Sequence, residues 1–423
     1  MYAECERMDD AQEVFDGISC PNSFSWSILI RGYAQNNRLC DTKHVLYSNP
    51  NSDTIAWNTM ISAYAQKREG IQAFDMFWEM QNKGVEPDMV TFLCIFEACS
   101  SLSTLEEARE FLIAFSKSKY YEDITLRTAL MNLYGKFGRI DNARMVFDEM
   151  LYHDVVSWNV LMDGYAHLGR FDEILKLFVQ MQKEGVRPDN VTLACILKAC
   201  GNTGSLEIGY EIHKKIQKEG LLQKDTSLST TLLDMYVKCG MLEKAHEVHE
   251  ELHVRNIVSW NTLISGYARQ GQGHEALNCF QEMQMQSISP DVFTFVSTLR
   301  ACGSTRALKK GRELHCDIMK KGFLESSLIV GNALVDMYVN WNLFCSAHSV
   351  LNRLSFRDVV SWTTIISGYI KHGWSEEALE CLEEMKKEGI VSDIPLWNSL
   401  LAGYANLGHI EKVSYILEKM GKE

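Results

Sequence analysis

The 423-residue sequence has little proline and no excess of basic residues. Only six prolines occur in the whole length, which favours long helices over strands bounded by turns. Lys and Arg total 42 against 55 Asp and Glu, and the formal charge of -13 argues against a globally basic nucleic-acid binder or a polybasic membrane anchor. A local basic groove is compatible with this balance.

Segments that would send the chain into or across a membrane are also missing. No uncharged apolar stretch approaches the roughly 18 residues that span a bilayer. The chain opens without the charged and apolar regions of a signal peptide, and its 13 cysteines include no C-x-x-C pair. We therefore expect reduced thiols, no secretion and no membrane partner.

Catalytic and metal-binding motifs are incomplete. No G-x-x-x-x-G-K-[ST] loop occurs, and the deaminase signature fails because no two cysteines lie three apart. Segment 249–253 reads HEELH, which matches the H-E-x-x-H of zinc proteases, but no third ligand is evident. His249 also occupies the position that Phe15 and Phe147 fill in related segments. We predict no enzyme activity, no catalytic residue, no metal and no cofactor; a zinc metalloprotease is the alternative that this motif raises.

One tryptophan-containing motif of 15 residues recurs along the chain. It reads VVSWNVLMDGYAHLG from Val155, IVSWNTLISGYARQG from Ile257 and VVSWTTIISGYIKHG from Val359. Six of the nine tryptophans occupy its fourth position, which excludes chance similarity. Four of these tryptophans are separated by 101, 102 and 102 residues: Trp57, Trp158, Trp260 and Trp362. The other two, Trp26 and Trp397, lie in related motifs.

Each long period divides into a standard unit of 35 residues, a long unit of 35 or 36 and a short unit of 31. No linker interrupts this one continuous array, which begins and stops inside a repeat, so we expect a fragment or a shortened product. Standard units are 54–88, 155–189, 257–291 and 359–393; long units are 89–123, 190–225 and 292–327; short units are 23–53, 124–154, 226–256 and 328–358; partial units are 1–22 and 394–423.

The spacing within a unit predicts two helices. Trp158, Leu161, Met162 and Tyr165 form one apolar stripe at i, i+3, i+4 and i+7, which stops near Gly169, a residue suited to a left-handed cap. A second stripe with the same spacing ends before the GVRPD that closes the unit. Two short amphipathic helices cannot bury their stripes alone, so we predict an all-α fold in which the helix pairs stack as an α-solenoid.

The sequence motifs within the units resemble those of the pentatricopeptide repeat family. Standard units carry V-V-S-W-N-x-L-I-x-G-Y-A, A-L-x-x-F-x-x-M and G-V-x-P-D, while LKACGNTGSLEIGYEIH from Leu197 and TLLDMYVKCGMLEKAHEV from Thr231 are similar to its long and short variants. The recurrent triplets resemble the plant PLS subfamily, here without the C-terminal E and DYW extensions. This resemblance implies a right-handed superhelical α-solenoid of helix-turn-helix repeats that specifies organellar transcripts, chiefly for C-to-U RNA editing.

In that family, the fifth and the last residue of a unit together read one base. A carboxylate at the last position accepts a hydrogen bond from the ring N–H of uracil or guanine, whereas an amide can donate to cytosine or adenine. Asn at the fifth position goes with pyrimidines and a small hydroxyl residue with purines. The resemblance implies Ser27/Asp53 for G, Asn58/Asp88 for U, Thr128/Asp154 for G, Asn159/Asp189 for U, Thr230/Asn256 for A, Asn261/Asp291 for U, Asn332/Asp358 for U and Thr363/Asp393 for G.

The implied target, read 5′ to 3′ from the N-terminus, is GU-n-GU-n-AU-n-UG. Long units have an apolar fifth residue and are left unread. The competing interpretation is that the Asp or Asn ending a unit is only a helix cap, since these residues are favoured directly before a helix. Nine of the eleven complete units end in Asp, so part of the acidity belongs to this position: Asp53, Asp88, Asp123, Asp154, Asp189, Asp225, Asp291, Asp358 and Asp393.

The second residue of each unit is the expected base sandwich, worth roughly 1–3 kcal/mol per stacked base by analogy with aromatic stacking. By contrast, three cysteines share one position of the long units and are predicted to pack within the first helix: Cys99, Cys200 and Cys302. The sandwich residues are Ile55, Val156, Val258 and Val360 in standard units, and Phe24, Thr125, Ser227 and Ile329 in short ones.

We therefore expect a sequence-specific adaptor that binds single-stranded organellar RNA, not DNA, and holds about one nucleotide per unit. In editing, a deaminase-bearing protein acting in trans would be a second partner. The expected location is a mitochondrion or plastid, with the mitochondrion preferred, although no transit peptide is visible. The alternative function is a protein-binding scaffold, as in the related tetratricopeptide repeats.

Overall fold

The structure, a computed structural model, describes residues 7–49, 53–406, 408 and 410–420. These residues form helices and turns without a strand, which confirms the predicted all-α solenoid of two-helix repeats. Parts of the partial units 1–22 and 394–423 and of the short unit 23–53 lie outside the described residues. In the described ranges, every helix is too short or too polar to cross a bilayer.

The chain divides into two compact units, Met1–Ala199 and Cys200–Glu423. Two 3-10 helices, Cys99–Ser101 and Leu105–Ala108, lie in the first long repeat. The α-helices that begin before residue 200 are α1 Met8–Asp16, α2 Ser23–Gln35, α3 Leu39–Ser48, α4 Thr54–Gln66, α5 Gly70–Asn82, α6 Met89–Ala98, α7 Arg109–Ser116, α8 Ile124–Lys136, α9 Ile140–Asp148, α10 Val155–His167, α11 Phe171–Lys183 and α12 Asn190–Thr203.

Residues 200–423 continue the same alternation of first and second helices. A 3-10 helix, Leu221–Gln223, precedes the first helix of a short repeat. The α-helices are α13 Leu206–Lys218, α14 Thr226–Lys238, α15 Leu242–Glu251, α16 Ile257–Arg269, α17 Gly273–Met285, α18 Val292–Thr305, α19 Leu308–Lys320, α20 Phe323–Ser326, α21 Leu328–Asn340, α22 Phe344–Arg353, α23 Val359–Lys371, α24 Ser375–Lys387, α25 Ile394–Asn406 and α26 Ile410–Met420.

Local sequence sets where these helices begin and end. The Asp154 carboxylate accepts a hydrogen bond from the Ser157 backbone N–H at 2.8 Å, so α10 begins directly after the unit boundary. Gly169 follows α10 with φ +68°, and Gly185 follows α11 with φ +75°; both adopt the left-handed conformation that glycine accommodates at a helix end. The chain therefore reverses twice in each standard unit.

The first helices of successive repeats pack directly on one another. In the first compact unit the neighbours are α2 with α4, α4 with α6, α6 with α8 and α8 with α10, and in the second the series runs α14, α16, α18, α21, α23 and α25. This stacking places the beginning of each first helix beside the beginning of the next. Residues about 30 apart in sequence therefore become neighbours there.

The recurrent tryptophans form the centre of the core. Trp57, Trp158 and Trp260 are 0% exposed and Trp362 is 2% exposed. The ring of Phe147, on the second helix of a short repeat, meets the Trp158 ring edge-on with centroids 4.7 Å apart. Each such contact joins one repeat to the next, so the core is continuous within a compact unit.

The three cysteines of the long repeats are fully buried, as their predicted packing role requires: Cys99, Cys200 and Cys302. Cys200 and Cys302 lie in the first helices α12 and α18, whereas Cys99 lies in the 3-10 turn that follows α6. Burial raises the pKa of all three thiols to about 12, so they remain protonated at neutral pH.

Candidate nucleic-acid interface

The predicted base-reading residues lie at the beginning of the first helices. Asn159 is the fifth residue of α10, and Asp189 directly precedes α12. Because first helices stack side by side, the fifth residue of one repeat faces the residue that caps the next. The two residues are 30 positions apart in sequence but share one small site.

The structure brings the members of all four Asn–Asp pairs together. In three pairs an Asn side-chain Nδ2 donates to the Asp Oδ1 at 3.0 Å. In the fourth the distance is 3.5 Å, at the limit of a hydrogen bond. The close pairs are Asn58/Asp88, Asn159/Asp189 and Asn261/Asp291, and the loose one is Asn332/Asp358.

Each close pair has a third member that sequence reasoning missed. Thr192 Oγ1 lies 2.6 Å from Asn159 Oδ1 and 2.9 Å from Asp189 Oδ1. The Thr192 backbone N–H donates to the same carboxylate oxygen at 2.9 Å. Thr91 and Thr294 make the same contacts. The available signal was a threonine three residues after the Asp in every long repeat, a capping-box spacing.

These hydrogen bonds affect the charge of the carboxylates. Burial alone would raise the pKa of Asp88 and Asp189, but hydrogen bonds from the threonine and the asparagine outweigh it and lower both values. Both groups therefore stay ionised at neutral pH and can only accept hydrogen bonds. This is the property that recognition of a ring N–H requires.

The structure leaves the three threonine pairs unjoined. Thr230 and Thr363 each donate to the carbonyl oxygen four residues earlier in the helix, at 2.8 and 2.7 Å. Thr128 is buried, and its Oγ1 has no hydrogen-bond partner among the described residues. In the described ranges, no side-chain hydrogen bond joins these threonines to Asp154, Asn256 or Asp393. Ser27, the fifth residue of the remaining pair, is half-buried on α2.

The residues that end the eight read units are all helix caps as well. In each, Oδ1 accepts a hydrogen bond from a backbone N–H at 2.8 or 2.9 Å, so each of these residues does cap the helix that follows it. In the seven Asp caps Oδ2 makes no capping bond, although in Asp189 and Asp291 it lies 3.2 Å from the Nδ2 of the paired asparagine. In Asn256 capping uses the amide oxygen and leaves the amide nitrogen, so capping and base reading are compatible. The caps are Asp53, Asp88, Asp154, Asp189, Asn256, Asp291, Asp358 and Asp393.

The predicted sandwich positions are all exposed, and six of the eight carry apolar side chains. In the standard repeats, Ile55, Val156, Val258 and Val360 are 52–56% exposed, although a typical aliphatic side chain would be buried. The short-repeat residues at this position are also exposed: Phe24, Thr125, Ser227 and Ile329. The same position is exposed in the long repeats: Val90, Val191 and Phe293.

Of the two histidines in the HEELH segment, only His249 lies in the core. His249 is 1% exposed, and its ring meets Trp260 edge-on at 4.3 Å, as Phe147 meets Trp158 at 4.7 Å. His253 is exposed and lies beyond the end of α15, so the two imidazoles do not converge. In the part of the chain that the structure describes, no cluster of three His, Cys, Asp or Glu side chains could hold a metal ion.

Comparison with family models gives matches along most of the chain. A model described as the PPR repeat family matches residues 52–101, 153–202 and 255–304. A second, described as the PPR repeat, matches residues 24–39, 127–155, 228–257, 360–390 and 396–423. Together these matches cover more than half of the sequence.

Individual relatives and one solved structure agree with these matches. A chloroplastic pentatricopeptide repeat-containing protein of Arabidopsis thaliana is 33% identical over 93% of this chain and 58% of its own length. A mitochondrial one from the same plant is 30% identical over 93% of this chain and 35% of its own. The chain thus spans about a third to somewhat over half of these relatives. The crystal structure of maize PPR10 aligns with all of this chain and 62% of its own, at 17% identity and a TM-score of 0.68.

Proposed function

Because the chain belongs to the pentatricopeptide repeat family, we propose that it is a sequence-specific adaptor for single-stranded organellar RNA. It binds about one base per repeat and performs no chemistry itself. The observation that carries this proposal is the repeated Asn–Asp pair at the beginning of a first helix, next to an exposed aliphatic side chain. Three such pairs have nearly identical geometry.

The polar groups of these pairs match the edge of uracil. In the Asn159/Asp189 pair, one amide hydrogen and the carboxylate Oδ1 are already used within the protein. The Asn159 Nδ2 also lies 3.2 Å from Asp189 Oδ2, but this oxygen has a second lone pair, and that lone pair and the second amide hydrogen remain available as an acceptor beside a donor. Uracil presents a carbonyl oxygen next to its ring N–H, which is the complementary pattern, whereas cytosine presents the reverse.

The hydroxyl pairs suit purines for a different reason. Thr230 and Thr363 use their single proton on their own helix, so each hydroxyl can offer only lone pairs to a ligand. An acceptor at this position can receive a hydrogen bond from a purine exocyclic amine. The partner then distinguishes the purines, because the Asp393 carboxylate accepts from the guanine ring N–H and the Asn256 amide can donate to the adenine ring nitrogen.

The exposed second residues supply the rest of the site. Val156 lies three residues before Asn159, so the two side chains occupy the same face of α10, one turn apart. Stacking a base between such aliphatic side chains from adjacent repeats would bury apolar surface without reading sequence. Affinity then accumulates along the array while specificity comes from the pairs.

We infer that the target is GU-n-GU-n-AU-n-UG and that the chain specifies a site of C-to-U editing, as a member of the PLS subfamily. The edited cytidine would lie 3′ of the bound segment, and a deaminase on another polypeptide would act on it. The chloroplastic and mitochondrial relatives support an organellar setting.

A binding comparison tests the function. The Kd of the full chain is measured for an 11-nucleotide RNA of the inferred sequence and for the same RNA with U and A exchanged. We expect clear preference for the first, since each wrong base costs roughly 1–3 kcal/mol if readout is direct. Equal affinity for both RNAs, or none for either, would contradict base reading and favour a protein-binding scaffold.

A further inference from the structure

The two ends of an asparagine side chain have opposite hydrogen-bonding roles, so its orientation decides which base it prefers. We propose that the threonine at the third position of each long repeat is a positioning residue that fixes this orientation and so sets the preference for uracil over cytosine. This inference rests on the proposed function. The threonines are Thr91, Thr192 and Thr294.

The hydrogen-bond geometry supports a fixed orientation. The single proton of Thr192 Oγ1 has two possible acceptors, and the Asn159 amide oxygen, at 2.6 Å, is nearer than Asp189 Oδ1, at 2.9 Å. The hydroxyl also accepts the Asp189 backbone N–H at 3.2 Å. Rotating the Asn159 amide by 180° would place its oxygen against the Asp189 carboxylate and lose the hydrogen bond between them, and the Thr192 hydroxyl would have to give up its short bond to the amide oxygen and turn its proton to Asp189.

This arrangement determines what a base can meet. In this orientation the second N–H of Asn159 lies next to the acceptor Oδ2 of Asp189, and the Thr192 hydroxyl occupies one lone pair of the amide oxygen. Without the hydroxyl, one of the two hydrogen bonds that favour this orientation is lost, so the amide turns more readily and presents its oxygen, which accepts from the exocyclic amine of cytosine. The threonine therefore removes an acceptor that would otherwise lower discrimination against cytosine.

The fourth Asn–Asp pair lacks the threonine and can be compared with the other three. At Asn332/Asp358 the next repeat is a standard one, and its third residue is Ser361. Ser361 Oγ donates to Asp358 Oδ1 at 2.8 Å, while Asn332 Oδ1 is buried with no hydrogen-bond partner in the described ranges. The Asn332 Nδ2 also lies farther from its carboxylate, at 3.5 Å. The amide orientation at this pair is therefore less constrained.

The test measures the affinity ratio for RNAs that carry U or C at the fifth nucleotide, opposite Asn159. For Thr192→Val we expect this ratio to fall by roughly two- to tenfold, as for loss of one neutral hydrogen bond. Ratios at the second and eighth nucleotides should stay unchanged. Thr192→Ser keeps a hydroxyl, but Ser361 at the equivalent position directs its proton to Asp358, so we expect a ratio between those of Thr192→Val and the wild type. In the wild type, we expect less discrimination at the tenth nucleotide, opposite Asn332, than at the fifth.

The outcomes distinguish failure of the positioning role from failure of the proposed RNA-binding function. If Thr192→Val weakens binding to both RNAs equally, the threonine is only a cap and the positioning role is wrong, although base reading stands. If the wild type shows no U preference at any of the four positions, the proposed function itself is wrong. Circular dichroism checks folding, and should Thr192→Val fail to fold, Thr294→Val read at the eighth nucleotide gives the same decision.

Discussion

Replacing His249 by phenylalanine should stabilise the protein, and more so as the pH falls. His249 occupies a position that Phe147 fills in another repeat, and both rings pack edge-on against a tryptophan, at 4.3 and 4.7 Å. Burial, with a contribution from Arg255, lowers the pKa of His249 to about 4. No described polar atom pairs with its Nε2. The imidazole is thus a polar group in an apolar site.

The pH dependence follows from the direction of this shift. The unfolded chain binds a proton at the ordinary histidine pKa of about 6.5, but the folded chain does so only near pH 4. Stability is therefore complete above about pH 7 and is lost as the pH falls between these two values. From pH 7 to pH 5 the loss attributable to this histidine is about 2 kcal/mol. His249→Phe removes that loss and should add about 1 kcal/mol at pH 7, because no buried acceptor is left unpaired.

Hydrogen exchange of the backbone amides in α15 and α16 is the suitable assay, because a repeat array can open locally and the effect is confined to these helices. Opening free energies are compared at pH 7 and pH 5 for the wild type, His249→Phe and a control, His253→Gln, at an exposed position. The control should behave as the wild type. If the advantage of His249→Phe is the same at both pH values, the burial argument is refuted.

Three further predictions concern the site and the core. Asn261→Thr should shift the preference at the eighth nucleotide from U towards G by roughly 1–3 kcal/mol, measured with matched RNAs; an unchanged preference would defeat that assignment. Gly266→Ala should cost about 1–3 kcal/mol in thermal or urea unfolding, since its Cβ would lie 2.7 Å from Val237 Cγ1, and adding Val237→Ala should restore part of the loss. In the native protein Cys302 should resist thiol reagents that label exposed Cys316, and equal labelling rates would contradict its burial.

Most of the fold could be predicted from local sequence. In α10, for example, the tryptophan motif supplies the buried face of the helix, the Asp before the motif caps its beginning, and the glycine after the motif ends it. The long repeats were less predictable. After α6 the chain forms two short 3-10 helices, Cys99–Ser101 and Leu105–Ala108, whose conformation depends on packing against neighbouring helices.

The candidate site was predictable in composition but not in its connections. The sequence pattern identified Asn159 and Asp189, but their hydrogen bond depends on how neighbouring helices stack. Thr192 lies 33 residues from Asn159, and only the folded arrangement shows that its hydroxyl reaches the amide. Likewise, Thr128 and Thr230 look equivalent in sequence, yet only Thr230 donates to its own helix. Such differences arise from side-chain rotamers and local burial.

Selection of bound RNAs from a random pool by the full chain tests the central claim most directly, because it assumes no target. The ordered pairs predict enrichment of GU-n-GU-n-AU-n-UG, with U opposite each of the four asparagines, purines opposite the serine and threonines, and no preference at the three intervening positions. Enrichment of no common sequence, or of one in which pyrimidines and purines follow another order, would contradict base reading by these pairs.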